Sequence, residues 1–492
     1  MKTIFSFLFS ILLCMGSVLA DVKLPRIFGD HMVLQRNVPL NIWGWAEPGE
    51  VVKVSLNGQQ KQTKANDEGK WSLHLDKEKA GGPFELKVQG NNEIILNDVL
   101  IGDVWVCSGQ SNMAWILKNT DNAEIEIKST NLPQIRHIQV ARKVSSSPQD
   151  DLPAEAEWQL ASPEYLANFT AVGYYFAKEL QRELNVPIGL INTSWGGTNV
   201  ETWTSRAAFE NSEEFKTMVG SVPSTIPDSI LKKGPNYTPS LLSNGMIEPI
   251  VPFKIKGAIW YQGESNAGLA HQYQKAFPLM IKDWRKRWNI GDFPFYFVQL
   301  ASFKASGGNS EKGSSWAELR EAQGMALSLK NTGMAVTTDV GNSNDIHPRN
   351  KLDVGKRLAA VALNKTYNKE NSYSGPVFKK MQKEGNSIKL YFNHIDGGLT
   401  AKTADDVLKG FEIAGDDKLF KEAHAVIEKD YILVSSENVS DPVAVRYGWS
   451  DDNFNINLFN KAGFPASPFR TDNWDGITVG MKRSYPWTAS YN

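Results

Sequence analysis

The chain has 492 residues, which at roughly 150 residues per domain implies several domains rather than one core. Hydrophobic residues make up 41% and charged residues 22%, the composition of an ordinary globular protein, which argues against a disordered chain or a fibrous repeat. Lys plus Arg total 53 against 54 for Asp plus Glu, so there is no net field to draw nucleic acid or an anionic membrane surface.

The N-terminus carries Lys2, an apolar run from Ile4 to Met15 and then Val18-Leu19-Ala20 before Asp21. This pattern predicts a signal peptide over residues 1–20, cleaved after Ala20, and hence a secreted or periplasmic protein. The run is shorter than the roughly 20 apolar residues that span a bilayer, and no later stretch approaches that length, so no membrane span is expected. Leu13 stands where a lipoprotein would place a small residue before Cys14. Once Cys14 is removed, Cys107 is the remaining cysteine, which allows no internal disulfide despite an oxidising compartment.

Residues 21–97 read as short strands, Leu40–Trp45, Val51–Leu56, Trp71–Leu75 and Phe84–Val88. The turn signals Pro48-Gly49, Asn57-Gly58 and Gly81-Gly82-Pro83 separate them, as in a small antiparallel β-sandwich that braces its neighbour. Residues 98–371 alternate apolar strands with amphipathic helices. Strand Leu100–Val106 and helix Val172–Leu184 come first, followed by strands Ile188–Ile191, Gly257–Tyr261, Phe295–Leu300 and Met334–Thr337, with helices His271–Trp288, Trp316–Leu329 and Lys351–Leu363. That alternation implies an α/β domain with a parallel sheet covered on both faces, and residues 372–492 return to a β-rich texture.

Ligands of such sheets bind beyond the carboxyl ends of the strands, and four ends are unusually polar or glycine-rich. After Val106 comes Cys107-Ser-Gly-Gln-Ser-Asn-Met113, where Gly109 permits a sharp bend and Ser111 opens a helix whose N–H groups face the site. After Ile191 comes Asn192-Thr-Ser-Trp-Gly-Gly-Thr198, whose adjacent glycines allow close backbone approach. Trp260-Tyr-Gln-Gly-Glu-Ser-Asn266 offers amide side chains as further oxyanion donors. Asp339-Val-Gly-Asn-Ser-Asn-Asp-Ile-His-Pro348 supplies His347, the one histidine of seven in a setting to take a proton from a serine and return it to a leaving alcohol.

Taken together, Gly-Gln-Ser-Asn-Met, Trp-Gly-Gly-Thr, Trp-Tyr-Gln-Gly-Glu-Ser-Asn and Asp-Ile-His-Pro resemble, in that order, the sialate O-acetylesterase family of SGNH (GDSL-like) hydrolases. Phe28–Gln35, Arg446–Trp449 and Ala466–Arg470 extend the resemblance over nearly the whole mature chain. It implies an SGNH-type three-layer α/β/α catalytic domain and a carbohydrate esterase that needs no cofactor and no metal. Its partner would be an acetylated sugar or glycan, most directly O-acetylated sialic acid, with acetylated plant polysaccharide such as xylan as the alternative. On this resemblance Ser111 attacks the acetyl carbonyl and His347 acts as base and then acid. Ser111, Gly196 or Gly197, and Gln262 or Asn266 would hold the oxyanion, with Glu264 grouped among the substrate-binding residues. The superfamily places an aspartate three residues before the histidine, and Asn344 stands there instead. Asp345 is therefore the first candidate to orient His347, Asp339 the second, and a Ser-His dyad the third arrangement. A metal hydrolase built on Asp339, Asp345 and His347 would lack the usual second histidine, and a glycan-binding protein without catalysis would not need all four motifs.

Overall fold

The computed structural model describes residues 21–403 and 405–483; the expected signal peptide lies outside the described residues. At the centre is a twisted sheet of β1 (Glu93–Gly109), β2 (Leu132–Gln139), β3 (Ile188–Ser194), β4 (Gly257–Tyr261), β5 (Phe295–Val298) and β6 (Thr332–Ala335). Their order is β6-β5-β4-β1-β3-β2, every pairing parallel, with Gln159–Ala161 added antiparallel to the β2 edge.

The period-2 geometry of a strand sends alternate side chains to opposite faces, and here both faces are apolar. Val104, Val106, Ala258 and Trp260 join one core, whereas Trp105, Cys107, Ile259 and Tyr261 join the other. Helices α1 (Ser111–Ala114) and α2 (Ala171–Leu184) are followed by α3 (Ala270–Trp288), α4 (Ser315–Met325) and α5 (Leu352–Lys365). α3 and α4 cover the first core and α2 and α5 the second, giving three layers, α/β/α. Cys107 is fully buried, and that burial drives its thiol pKa far up, so it packs as a small hydrophobe.

β1 is 17 residues long and belongs to two parts of the molecule. Its first half pairs antiparallel with Gly81–Gln89 and parallel with Val33–Gln35 of the N-terminal module, and its second half lies between β4 and β3. The expected boundary at residue 97 thus falls inside a continuous strand. The module's Val52, Val54, Leu56, Leu86 and Val88 share one apolar core with the catalytic layer, and Trp158 Nε1 donates to Ile27 O at 2.8 Å across the seam.

β2 runs through Arg136 and His137, both buried, so its sequence carries no apolar run to announce it. Arg136 pairs with Asp98 at 2.8 Å, and His137 stacks on Phe169 at 4.5 Å with burial pushing its pKa down to about 3. The C-terminal region has its own core around Ile388, Leu390, Ile432, Val434 and Tyr447. It is tied to α4 by the fully buried Arg320, which donates to the carbonyls of Ser450 and Asp451 at 2.7 and 2.9 Å.

Candidate active site

β1 ends at Gly109, whose φ of 130° and position leave no room for a side chain: a Cβ there would lie 2.2 Å from Tyr261 O. The chain turns, Gln110 N donates to Tyr261 O at 2.9 Å, and α1 begins at Ser111. The Gln110 side-chain oxygen accepts from Gly263 N and Ser265 N at 3.3 and 3.4 Å, which ties the turn to the loop after β4.

His347, 236 residues away in sequence, places Nε2 2.8 Å from Ser111 Oγ. Its ring stacks on Trp115 at 5.3 Å and 14°, which fixes the plane of the imidazole against the helix that carries the serine. Burial lowers the His347 pKa, Asp345 opposes that and Lys351 adds to it, so the ring is held below the ordinary histidine value of 6.5. A neutral imidazole hydrogen-bonded to a hydroxyl can take its proton.

Beneath this pair lies a network that motif reading missed. Lys351, just before α5, is fully buried and donates to Asn112 Oδ1 and to Pro348 O, each at 2.6 Å. Asn112 Nδ2 donates in turn to Ile346 O at 3.0 Å and to Glu264 Oε1 at 2.7 Å. The carbonyls on either side of His347 are therefore both held, one by Asn112 and one by Lys351, and Asn112 is the residue after Ser111. Burial brings the Lys351 pKa down to about 7 despite the opposing pull of Glu264, and burial also raises the Glu264 carboxyl, whose Oε2 has no partner among the described residues.

The remaining expected site residues divide sharply. A Cβ on Gly196 would sit 3.3 Å from Ser111 Cβ, whereas one on Gly197 would meet nothing within 4 Å, so Gly196 is the glycine at the serine. The amides of Gln262 and Asn266 correct the expectation of an oxyanion donor among them. Gln262 Nε2 donates to Thr198 O at 3.1 Å and Asn266 Oδ1 at 2.8 Å, and Asn266 Nδ2 donates to Glu201. Both amides are buried and committed to bracing the loops after β3 and β4. Glu264 is likewise engaged behind the serine on Asn112 instead of facing a substrate.

Asp339 is corrected too: Arg357 donates to its two oxygens at 2.6 and 2.7 Å, which binds it to α5 and not to His347. Asp345 accepts from His347 N at 2.8 Å, and the same oxygen stands 3.7 Å from Nδ1, too long for a hydrogen bond but close enough to act through charge. Because Asp345 raises the His347 pKa, Asp345→Asn should lower it further; imidazole chemical shifts followed through a pH titration would check this, and an unchanged or raised value would contradict the assignment. Among the described residues no three His, Cys, Asp or Glu side chains group as a metal-binding set.

A cleft of about 580 Å³ opens beside Trp195, the residue before Gly196. It is lined by Arg142, Lys143 and Lys232 against the single acid Asp228, and the Arg142 guanidinium lies 5.9 Å over the Trp195 ring.

Residues 101–364 match the family described as carbohydrate esterase, sialic acid-specific acetylesterase. The chain is 33% identical to the mouse (Mus musculus) sialate O-acetylesterase over 86% of its own length and 88% of the relative's. To the human (Homo sapiens) sialate O-acetylesterase it is 34% identical, covering 73% and 74%. Among solved structures, a carbohydrate acetylesterase from Xanthomonas citri superposes with a TM-score of 0.85 at 41% identity, covering 92% of this chain and all of that one. Coverage on this scale includes the flanking β regions as well as the sheet, and it identifies the chain as a carboxylic ester hydrolase belonging to the sialic acid-specific acetylesterase family of carbohydrate esterases.

Proposed function

We propose that this chain is a secreted serine esterase that removes O-acetyl groups from sialic acid through an acetyl-enzyme on Ser111. The observation that carries the mechanism is the 2.8 Å contact between Ser111 Oγ and His347 Nε2. In this reading Oγ attacks the acetyl carbonyl carbon while its proton passes to Nε2. The tetrahedral oxyanion is received by the backbone N–H groups of Ser111 and Gly196, donors that need no reorganisation as charge develops. The bond to the sugar oxygen then breaks, and Nε2 returns the proton to that oxygen. Water, deprotonated by the same imidazole, attacks the acetyl-serine; the bond to Oγ breaks, the imidazolium returns the proton to Oγ, and acetate leaves. Asp345 contributes charge near Nδ1, and the pair works as a dyad steadied by an adjacent carboxylate.

The names of the curated relatives support sialic acid as the sugar, and so does the cleft beside Trp195, where Arg142, Lys143 and Lys232 would receive a carboxylate. The N-terminal sequence supports secretion. Acetate release from O-acetylated sialic acid and from acetylated xylan, compared at equal ester concentration, tests the substrate. The sialic acid ester should turn over faster, and Arg142→Gln should narrow that preference. Faster release from xylan, with no effect of Arg142→Gln, would transfer the reading to plant polysaccharide.

A further inference from the structure

A second cleft, of about 410 Å³, lies on the seam between the N-terminal module and the catalytic domain, sharing Gln149 alone with the cleft beside Trp195. One wall is the strand Leu40–Trp45, paired antiparallel with Lys70–Leu75. Leu40 and Ile42 point into the core, while the alternate positions Asn41, Trp43 and Trp45 are half-buried and line the cleft with Ser72 of the partner strand. Gln149 and Asp150 of the catalytic domain form the opposite side.

Two tryptophans at i and i+2 share one face of a strand, about 7 Å apart along it. Trp43 is fixed by edge contacts to Phe28 and Phe253 at 4.6 and 6.4 Å, whereas Trp45 makes no ring contact among the described residues. Large indoles left part-exposed on a sheet face, with a polar rim, mark a binding surface more than a core. Asn41, whose Nδ2 donates to Pro252 O at 3.0 Å, and the exposed Ser72 add polar side chains to the cleft beside these rings.

The charges at this cleft are neutralised. Lys70 pairs with Asp150 at 2.9 Å, and Glu248 is held by Arg287. That balance separates it from the basic cleft beside Trp195 and suits a neutral ligand. Flat indole faces ringed by hydroxyl- and amide-type groups match a β-linked pyranose chain, whose equatorial hydroxyls leave both ring faces lined with C–H bonds.

We propose that this seam is a second saccharide-binding site, for neutral β-linked oligosaccharides, with Trp43 and Trp45 as its stacking platform. The site depends on its own residues; only a gain in activity on long glycans would rest on the esterase reading. The test is calorimetric titration of the full mature chain with deacetylated xylohexaose, cellohexaose and mannohexaose. At least one should bind, and Trp45→Ala should weaken it by about fivefold or more, the loss of one aromatic contact worth roughly 1 kcal/mol, while turnover of p-nitrophenyl acetate stays unchanged. Ser72→Arg, which fills the cleft from an exposed position on the neighbouring strand, should have the same effect and guards against a folding defect in the tryptophan variant. Binding by none of the three, or binding that both variants leave intact, would overturn the proposal. Retained binding in a protein that releases no acetate from any acetylated sugar would remove the esterase reading and leave this site standing.

Discussion

Ser111→Ala and His347→Ala should each lower kcat for acetate release by roughly 10⁴-fold or more, with thermal unfolding close to wild type. In the proposed mechanism the two side chains act as one unit, since the hydroxyl is a weak nucleophile until Nε2 takes its proton across the 2.8 Å contact. The double variant should therefore be scarcely worse than either single one. Both groups are partly exposed, and neither fills a core position, so the fold has little to lose. Steady-state rates on an acetylated sugar, beside melting curves, check this. Turnover near wild type in either variant would remove the serine mechanism.

The second large effect is expected at Lys351. Lys351→Met keeps the apolar stem but deletes the cation, leaving Asn112 Oδ1 and Pro348 O without their buried donor. An unsatisfied buried acceptor costs about 1–3 kcal/mol. If that cost falls on the alignment of His347, kcat drops roughly 5- to 150-fold with KM little changed. The pH profile separates positioning from simple destabilisation. Lys351 lowers the His347 pKa, so its removal should move the acid limb of kcat/KM upward, opposite in sign to the shift expected from Asp345→Asn.

Stability carries a second signature. With a folded pKa of about 7 against 10.5 for a free lysine, the unfolded chain binds more protons between those values. The burial penalty is full below pH 7 and fades as the lysine deprotonates, so this group makes stability rise with pH over that window. The slope should be missing from Lys351→Met, and an identical pH dependence of melting in both proteins would refute the buried-lysine account.

What the sequence made legible was where backbone pattern and chemistry coincided. β4 has the limits its apolar run suggests, Gly257–Tyr261, because both faces are buried and the run is unbroken. Ser111 and His347 were readable because glycine bends and strand ends mark where a parallel sheet can hold a ligand. β2 was not readable, since its buried Arg136 and His137 are satisfied or neutral only through Asp98 and Phe169, contacts made at long range.

In the sequence Lys351 only opens a helix; the fold shows it sealed behind Asn112. The amides of Gln262 and Asn266 misled for the converse reason. Their type fits an oxyanion donor, but the loops they sit in use every donor internally. Motifs thus pointed to Ser111 and His347, which the fold brings to 2.8 Å, while the residues that hold them became visible only through three-dimensional hydrogen bonding.

Acetyl transfer through Ser111 is tested most directly by a fluorophosphonate, which phosphonylates an activated serine with loss of fluoride. One equivalent should abolish acetate release, and peptide mapping should place a single adduct on the segment Cys107–Met113, absent in Ser111→Ala and much slowed in His347→Ala. Full activity in the labelled protein, or an adduct on another residue, would contradict it.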